Sequence, residues 1–213
     1  MKQITFHFDF ISPYAYLAFE KLPEALKGLS YEVAYRPVLF AGFLKHHGQL
    51  GPAEIAPKRE WTYRQVMWLA HAQGIPMQMP AAHPFNPLPV LRLALACGHG
   101  GLVNRHVAET VFRHVWRGGA DAADPARIAE LRALLQPQRD PASDEVKSEL
   151  KTNTETAIAR GLFGVPTCEV DGKLFWGFDG LPMLRACLEG NAWFTSGAWE
   201  QSAALPTGKT RTP

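Results

Sequence analysis

The sequence predicts an α/β fold laid out as β-α-β, a long helical block, then β-β-α. Three observations carry this. Ile4-Thr5-Phe6-His7-Phe8 and Tyr31-Glu32-Val33-Ala34-Tyr35-Arg36 alternate apolar and polar residues on either side of one helical segment. From Leu39 to about Arg160 the spacing turns helical, broken by glycines and prolines. Thr167-Cys168-Glu169-Val170 and Lys173-Leu174-Phe175-Trp176 then flank Asp171-Gly172, a strong two-residue hairpin signal.

The first strand leads into Asp9-Phe10-Ile11-Ser12-Pro13-Tyr14. Ser12 stands where an N-cap belongs and Pro13 where the first helical residue belongs. Tyr14, Leu17 and Ala18 follow at helical spacing, and the helix is expected to reach about Lys21, with Pro23 and Gly28 as punctuation. The second strand ends at Pro37, and crossover handedness makes the two strands parallel neighbours. Gly42, Gly48, Gly51, Pro52 and Pro57 predict an irregular stretch over 41–57. A helix from about Lys58 carries Val66, Leu69 and Ala70 and stops at Gly74. Prolines at 76, 80, 84, 87 and 89 predict an extended loop.

Val90 to Ala96 reads as a buried helix. Val103, Val107, Val111 and Val115 recur at i+4 and mark another helix, ending at Gly118-Gly119. Asp124 caps and Pro125 opens an amphipathic helix whose Ile128, Leu131, Leu134 and Leu135 are expected to face the core. A further helix with Val146, Leu150 and Ala157 stops at Gly161. After the hairpin, Leu181 to Glu189 closes as a helix with Gly190 at its C′ position. The order is that of a thioredoxin fold with a large all-helical domain inserted between its halves. Residues 1–40 and 161–200 would form the discontinuous thioredoxin-like domain, 41–160 the insertion and 201–213 a flexible tail. Pro166, just before the third strand, fits the cis-proline of such folds.

Composition limits the function classes. At 213 residues the chain can bury roughly 70% of its unfolded surface, so a sizeable core is available. A net charge of +2 with no basic stripe argues against nucleic acid as the main partner. Lys209 and Arg211 lie in a polar tail and read as solvated. No run approaches the roughly 20 apolar residues that span a bilayer, so no membrane partner is expected. The opening Met1-Lys2-Gln3-Ile4 enters a strand at once, which predicts no signal peptide. Cys97, Cys168 and Cys187 are odd in number, widely spaced and without a CxxC, which predicts free thiols in a reducing, cytoplasmic setting. The histidines form no metal motif: His46 and His47 are adjacent and diverge, and no HExxH occurs. The Gly98–Gly101 run lacks the preceding strand that a nucleotide loop needs. The tryptophans Trp61, Trp68, Trp116, Trp193 and Trp199 read as core or dimer-surface residues.

Ser12 places a hydroxyl at the positive end of a helix, at the carboxyl end of a buried strand. That position either does no more than cap the helix or suits an anion or thiolate.

Four stretches then resemble one family: Asp9-Phe10-Ile11-Ser12-Pro13-Tyr14, Pro84-Phe85-Asn86-Pro87-Leu88, Gly164-Val165-Pro166-Thr167 and Phe175-Trp176-Gly177-Phe178-Asp179. Together they resemble the 2-hydroxychromene-2-carboxylate isomerases, which group with kappa-class glutathione transferases in the DsbA-like branch of the thioredoxin fold. The resemblance runs from Ile4 to about Leu188. It implies a glutathione-dependent isomerase, usually a homodimer, that interconverts 2-hydroxychromene-2-carboxylate and trans-o-hydroxybenzylidenepyruvate or a related aromatic enone acid. A disulfide oxidoreductase would need a thiolate cysteine at this position. Ser12 cannot cycle a disulfide, but its hydroxyl and the helix N-terminus would lower the pKa of a borrowed glutathione thiol. Addition of that thiolate to the enone frees rotation about the former double bond, and its expulsion gives the other isomer.

The resemblance also implies roles for other residues. The backbone of Val165, before Pro166, would pair with the cysteinyl backbone of glutathione as a short strand does, or the pair would only form a structural proline turn. Asp179 would bind the γ-glutamyl ammonium, or only cap the last helix; Phe178 would contribute backbone. Lys58 would approach the glycyl carboxylate. Lys45 would take the substrate's carboxylate, or be a solvated surface lysine. Relatives often show Gly-Asn-x-Pro-Pro where this chain has His46 to Pro52, so Gln49 or Leu50 replaces an expected amide contact with substrate. Asn86 would touch substrate or order its loop. Relatives also commonly carry a polar residue at Phe178 and a basic one at Gly180. Alternatives from other classes are a kappa-like transferase that conjugates an electrophile and a non-catalytic glutathione or thiol binder.

Overall fold

A computed structural model describes residues 1–206 and residue 208. The central sheet has strand order β2-β1-β3-β4. β1 (Lys2–Phe8) pairs in parallel with β2 (Tyr31–Pro37). It pairs antiparallel with β3 (Thr167–Val170), which returns through β4 (Lys173–Trp176). This is the predicted thioredoxin arrangement. The hairpin turn has Asp171 at φ 49° and Gly172 at φ 75°, the backbone a two-residue I′ turn requires.

The first crossover is α1 (Pro13–Ala25), capped by Ser12. It continues past Lys21 and through Pro23, where punctuation was expected. Leu22 and Leu26 are buried on either side of that proline, and their packing holds the last turn although one backbone donor is missing.

Residues 41–57 are also more regular than their glycines suggested. α2 (Phe40–His47) is followed by a 3-10 turn at Pro52–Glu54 and by α3 (Ala56–Ala72). Gly42 sits inside α2 because α7 (Asp144–Ala159) crosses it closely. A Cβ at Gly42 would lie 2.7 Å from Thr154 Cγ2.

The rest of the insertion is α4 (Leu88–Ala96), α5 (Arg105–Trp116), α6 (Pro125–Leu135) and α7. Val103 lies outside α5. Its N–H donates to the Tyr35 carbonyl at 3.0 Å, and Asn104 caps the helix that starts after it. On α6, Leu131 is buried but Leu134 is 70% exposed, so the apolar face is narrower than the spacing implied. The sheet then leads to α8 (Leu181–Leu188) and α9 (Ala198–Ala203). Part of the expected tail is thus helical. Trp199 of α9 packs on Phe175 and Phe194 at 5.5 and 5.6 Å between ring centroids. Thr207 and residues 209–213, including Lys209 and Arg211, lie outside the described residues.

The inserted helices share their core with the sheet. Ile4, Phe6 and Phe8 of β1 and Phe19 of α1 form one cluster with Leu91, Val107, Phe112 and Val146. Aromatic rings dominate the seam: Phe112 lies 5.3 Å from Phe8, 4.8 Å from Phe10 and 5.0 Å from Phe19. On the other face of the sheet, buried Asn153 of α7 ties the halves through polar atoms. Its Nδ2 donates to the carbonyls of Pro37 and Gly101 at 2.9 and 2.7 Å, and its Oδ1 accepts from Arg36 Nη1 at 2.7 Å. Asn153→Ala should cost about 2–3 kcal/mol, because it strands buried groups that water cannot reach. A fall in the urea midpoint with an unchanged slope checks this.

Candidate active site

The site forms where β1 ends. Register pairs His7 with Thr167, so the residues just before β3 lie across from those just after β1. Val165 and Pro166 are thereby brought to Ser12, and the Val165–Pro166 bond is cis, as the sequence suggested. Ser12 is 8% exposed. Its Oγ accepts from the Ala15 N–H at 3.2 Å, which is the helix cap. Its hydroxyl proton points to the Val165 carbonyl at 3.5 Å. That contact is at the outer limit of a hydrogen bond, so the proton is available to a better acceptor. The Val165 N–H makes no hydrogen bond among the described residues.

The loop carrying Ser12 is braced by side chains from distant parts of the chain. Asp9 is fully buried. Its carboxylate accepts from Ile11 N–H at 3.1 Å and from Phe40 N–H at 2.9 Å, joining the loop to the first turn of α2. Trp116 Nε1 donates to the Phe10 carbonyl at 2.9 Å. His83 Nε2 lies 2.8 Å from the Ile11 carbonyl, which only accepts, so Nε2 carries a proton. Tyr63 closes the chain, with its hydroxyl 2.9 Å from His83 Nδ1 and 2.7 Å from the His83 carbonyl. Trp116 is a core residue, as its sequence context allows, while the roles of His83 and the Asp9 side chain are not evident from the sequence. The one local hint was an acidic residue at the end of a buried strand, three residues before a helix cap.

Phe178 is half-buried and packs against the cluster formed by Leu17 of α1 with Val66 and Ala70 of α3. Asp179 is exposed and does not cap α8, whose N-cap is Gly180 without a side-chain bond. Burial raises the Tyr14 phenol pKa, and the nearby Asp179 carboxylate adds to the rise. At Gly180 a Cβ would lie 2.7 Å from the Trp176 carbonyl oxygen, so this backbone leaves no room for a basic side chain there. Lys58 lies exposed in the first turn of α3. Lys45, near the end of α2, and Gln49 and Leu50, in the turn after it, are all exposed. None of these four makes a hydrogen bond or ion pair with Ser12 or Val165 among the described residues. Asn86 is placed elsewhere. Its Oδ1 accepts from Leu88 N–H at 3.1 Å, which orders the proline-rich loop, and it lines a cleft with α4 and α6. Cys168 is a buried strand residue whose thiol burial pushes up to about 12, so it holds no thiolate.

Chemically, the arrangement offers a hydroxyl donor at a helix N-terminus, beside a backbone edge whose Val165 N–H has no partner among the described residues. It suits a thiolate or other anion attached to a short peptide.

Two buried groups beside the site set opposing pH terms. Burial raises the Asp9 carboxyl from 3.8 to about 7, outweighing the N–H groups of Phe40, Ile11 and Phe10. Between those values the folded chain holds a proton that the unfolded chain has released, so this contribution to stability is lost as pH rises. Burial lowers His7 from 6.5 to about 4, against the opposing pull of Glu169. There the unfolded chain holds the extra proton, and the contribution is lost as pH falls. Asp9→Asn removes the first effect alone. Relative to wild type, the variant should gain stability on the order of 1–4 kcal/mol as pH rises from about 4 to about 7. Urea unfolding across that range measures it, and a pH-independent difference would refute the role of burial at Asp9.

Known proteins share this architecture. Residues 3–189 match the model of the DSBA-like thioredoxin domain. The chain is 28% identical over 197 residues to a 2-hydroxychromene-2-carboxylate isomerase of Sphingobium xenophagum, covering 88% of this chain and 98% of the relative. It is also 28% identical to glutathione S-transferase kappa 2 of Caenorhabditis elegans, covering 86% and 90%. The solved structure of a 2-hydroxychromene-2-carboxylate isomerase superposes with a TM-score of 0.74 at 23% identity, over 92% of this chain and 98% of that one. The fold expected from the sequence, and the resemblance to these isomerases and kappa-class transferases, are therefore borne out. With a family model covering almost the whole described chain, the protein belongs to the DSBA-like thioredoxin domain family.

Proposed function

We propose that the protein is a glutathione-dependent isomerase acting on 2-hydroxychromene-2-carboxylate or a related aromatic enone acid. The observation that carries this is the pairing of Ser12 with the Val165–Pro166 edge at a site without cysteine. When bound, glutathione supplies a nucleophilic thiolate that adds to the enone and leaves again.

The chain's own residues fit that cosubstrate. Ser12 donates its weakly engaged hydroxyl proton to the sulfur, and the α1 N-terminus favours the negative charge. Lowering the thiol from about 8.5 by one unit needs ~1.4 kcal/mol, within reach of a charge-assisted hydrogen bond. The Val165 N–H and carbonyl pair with the cysteinyl backbone. Asp179, exposed beside Tyr14, takes the γ-glutamyl ammonium, while Phe178 seats that turn against α1. Lys58 takes the glycyl carboxylate from the first turn of α3. Lys45 forms no ion pair among the described residues and takes the substrate carboxylate; Gln49 and Leu50, exposed in the turn after α2, are assigned to the same substrate. Phe163 and Trp176 are 47% and 52% exposed, and their rings lie 5.0 Å apart next to the Pro166 edge. They give an aromatic substrate an apolar wall. Asn86 is left out of this assignment, because it orders its own loop.

A kappa-like transferase is the second reading, since the kappa relative matches as well as the isomerase at 28% identity. Turnover of the chromene carboxylate with and without glutathione separates the readings. Isomerisation only with glutathione is expected. Equal rates in both conditions contradict the proposal, and stable conjugation of a chloronitroarene without isomerisation favours the transferase. Ser12→Ala should lower kcat by ~10²–10³-fold and leave glutathione affinity within about threefold, because only one donor to the developing charge is lost. Wild-type kcat in that variant would remove Ser12 from the mechanism.

A further inference from the structure

A cleft of about 310 Å³ opens between α4, α6 and the Pro141–Ala142 turn. It shares no residue with the Ser12–Val165 edge. Leu88, Leu93, Ile128 and Pro141 make its wall largely apolar, and Arg92 and Arg132 give it positive charge.

Arg92 is the unusual member. It is half-buried, and its Nε is enclosed without a hydrogen-bond partner. No carboxylate or carbonyl engages its two Nη groups among the described residues, and these are the accessible part of the guanidinium. Arg139 makes the contrast. Its Nε is also without a partner, but its Nη groups are held by Glu145 and Glu149 and by the carbonyls of Leu95 and Gly98. Arg132 stands 57% exposed at the rim, with Asp140 at 3.9 Å as a loose partner. The enclosed Nε has lost hydration that nothing among the described residues returns. Its planar fork of donors matches a carboxylate.

We propose that this cleft binds a small amphipathic carboxylate, with its apolar body against Leu88, Leu93 and Ile128 and its anionic head between Arg92 and Arg132. The volume is that of a small-molecule site. A recessed cation with apolar walls also fits a compact ligand better than a flat protein surface. This site stands apart from the reaction proposed at Ser12 and does not rest on it.

Calorimetric titration of the full chain tests the idea, with phenylpropanoate and its neutral isostere phenylpropanamide as probes, in saturating glutathione. The acid should bind ~10-fold tighter than the amide or more. Arg92→Met should erase that preference, whereas acid bound at the Ser12 groove would be untouched by the change. Arg92→Lys should keep only part of it, because a point charge lacks the fork. Equal affinity for acid and amide in the wild type overturns the proposal, as does a folded Arg92→Met variant that keeps the preference. If Arg92→Met does not fold, the exposed Arg132→Gln carries the same comparison: a weakened preference supports the site and an unchanged one overturns it.

Discussion

The antiparallel pairing of β1 with β3 is the constraint on which the rest of the site depends. It joins residues 160 or more positions apart, with His7 opposite Thr167 and Phe6 opposite Cys168. Through it the cis Val165–Pro166 edge faces Ser12. A slip of one residue would turn Phe6 and Phe8 out of the core and carry Val165 past the hydroxyl. The aromatic seam around Phe112 makes that slip costly, because the same rings fill the space between the sheet and the inserted helices. The insertion therefore fixes the register of the strand from which the site springs, as well as covering the fold.

Within that frame the Ser12 loop is held by polar contacts. Asp9 binds its own loop and the start of α2 with one carboxylate. Trp116 and His83 hold the carbonyls of Phe10 and Ile11 from the helical side. These contacts leave the hydroxyl proton of Ser12 weakly engaged, because its bond to Val165 is long. A rigid loop with one weakly committed donor can meet developing charge with little rearrangement. The buried Asp9 carboxyl also places a group titrating near neutrality close behind the site.

Much of this was legible in the sequence where the signal is local. The Ser12-Pro13 cap, the Asp171-Gly172 hairpin and the Asp124-Pro125 helix start each depend on a few adjacent residues, and each is present. The order of strands then led to the thioredoxin fold, in which Pro166 stands where such folds carry a cis-proline. What escaped depends on distant partners. Gly42 looked like a helix breaker, yet it is what lets α7 approach α2. Leu134 followed the helical period but finds no neighbour to cover it. His83 and Trp116 carry no local sign that they reach the Ser12 loop. Only the packed fold brings them there.

The ionisation of bound glutathione tests the central claim most directly, followed as thiolate ultraviolet absorbance across pH in the wild type and in Ser12→Ala. On this account the bound thiol titrates about one unit or more below its free value of about 8.5 in the wild type, and the variant returns most of that shift. A bound thiol that titrates at its free value, or an equal shift in both proteins, would contradict it.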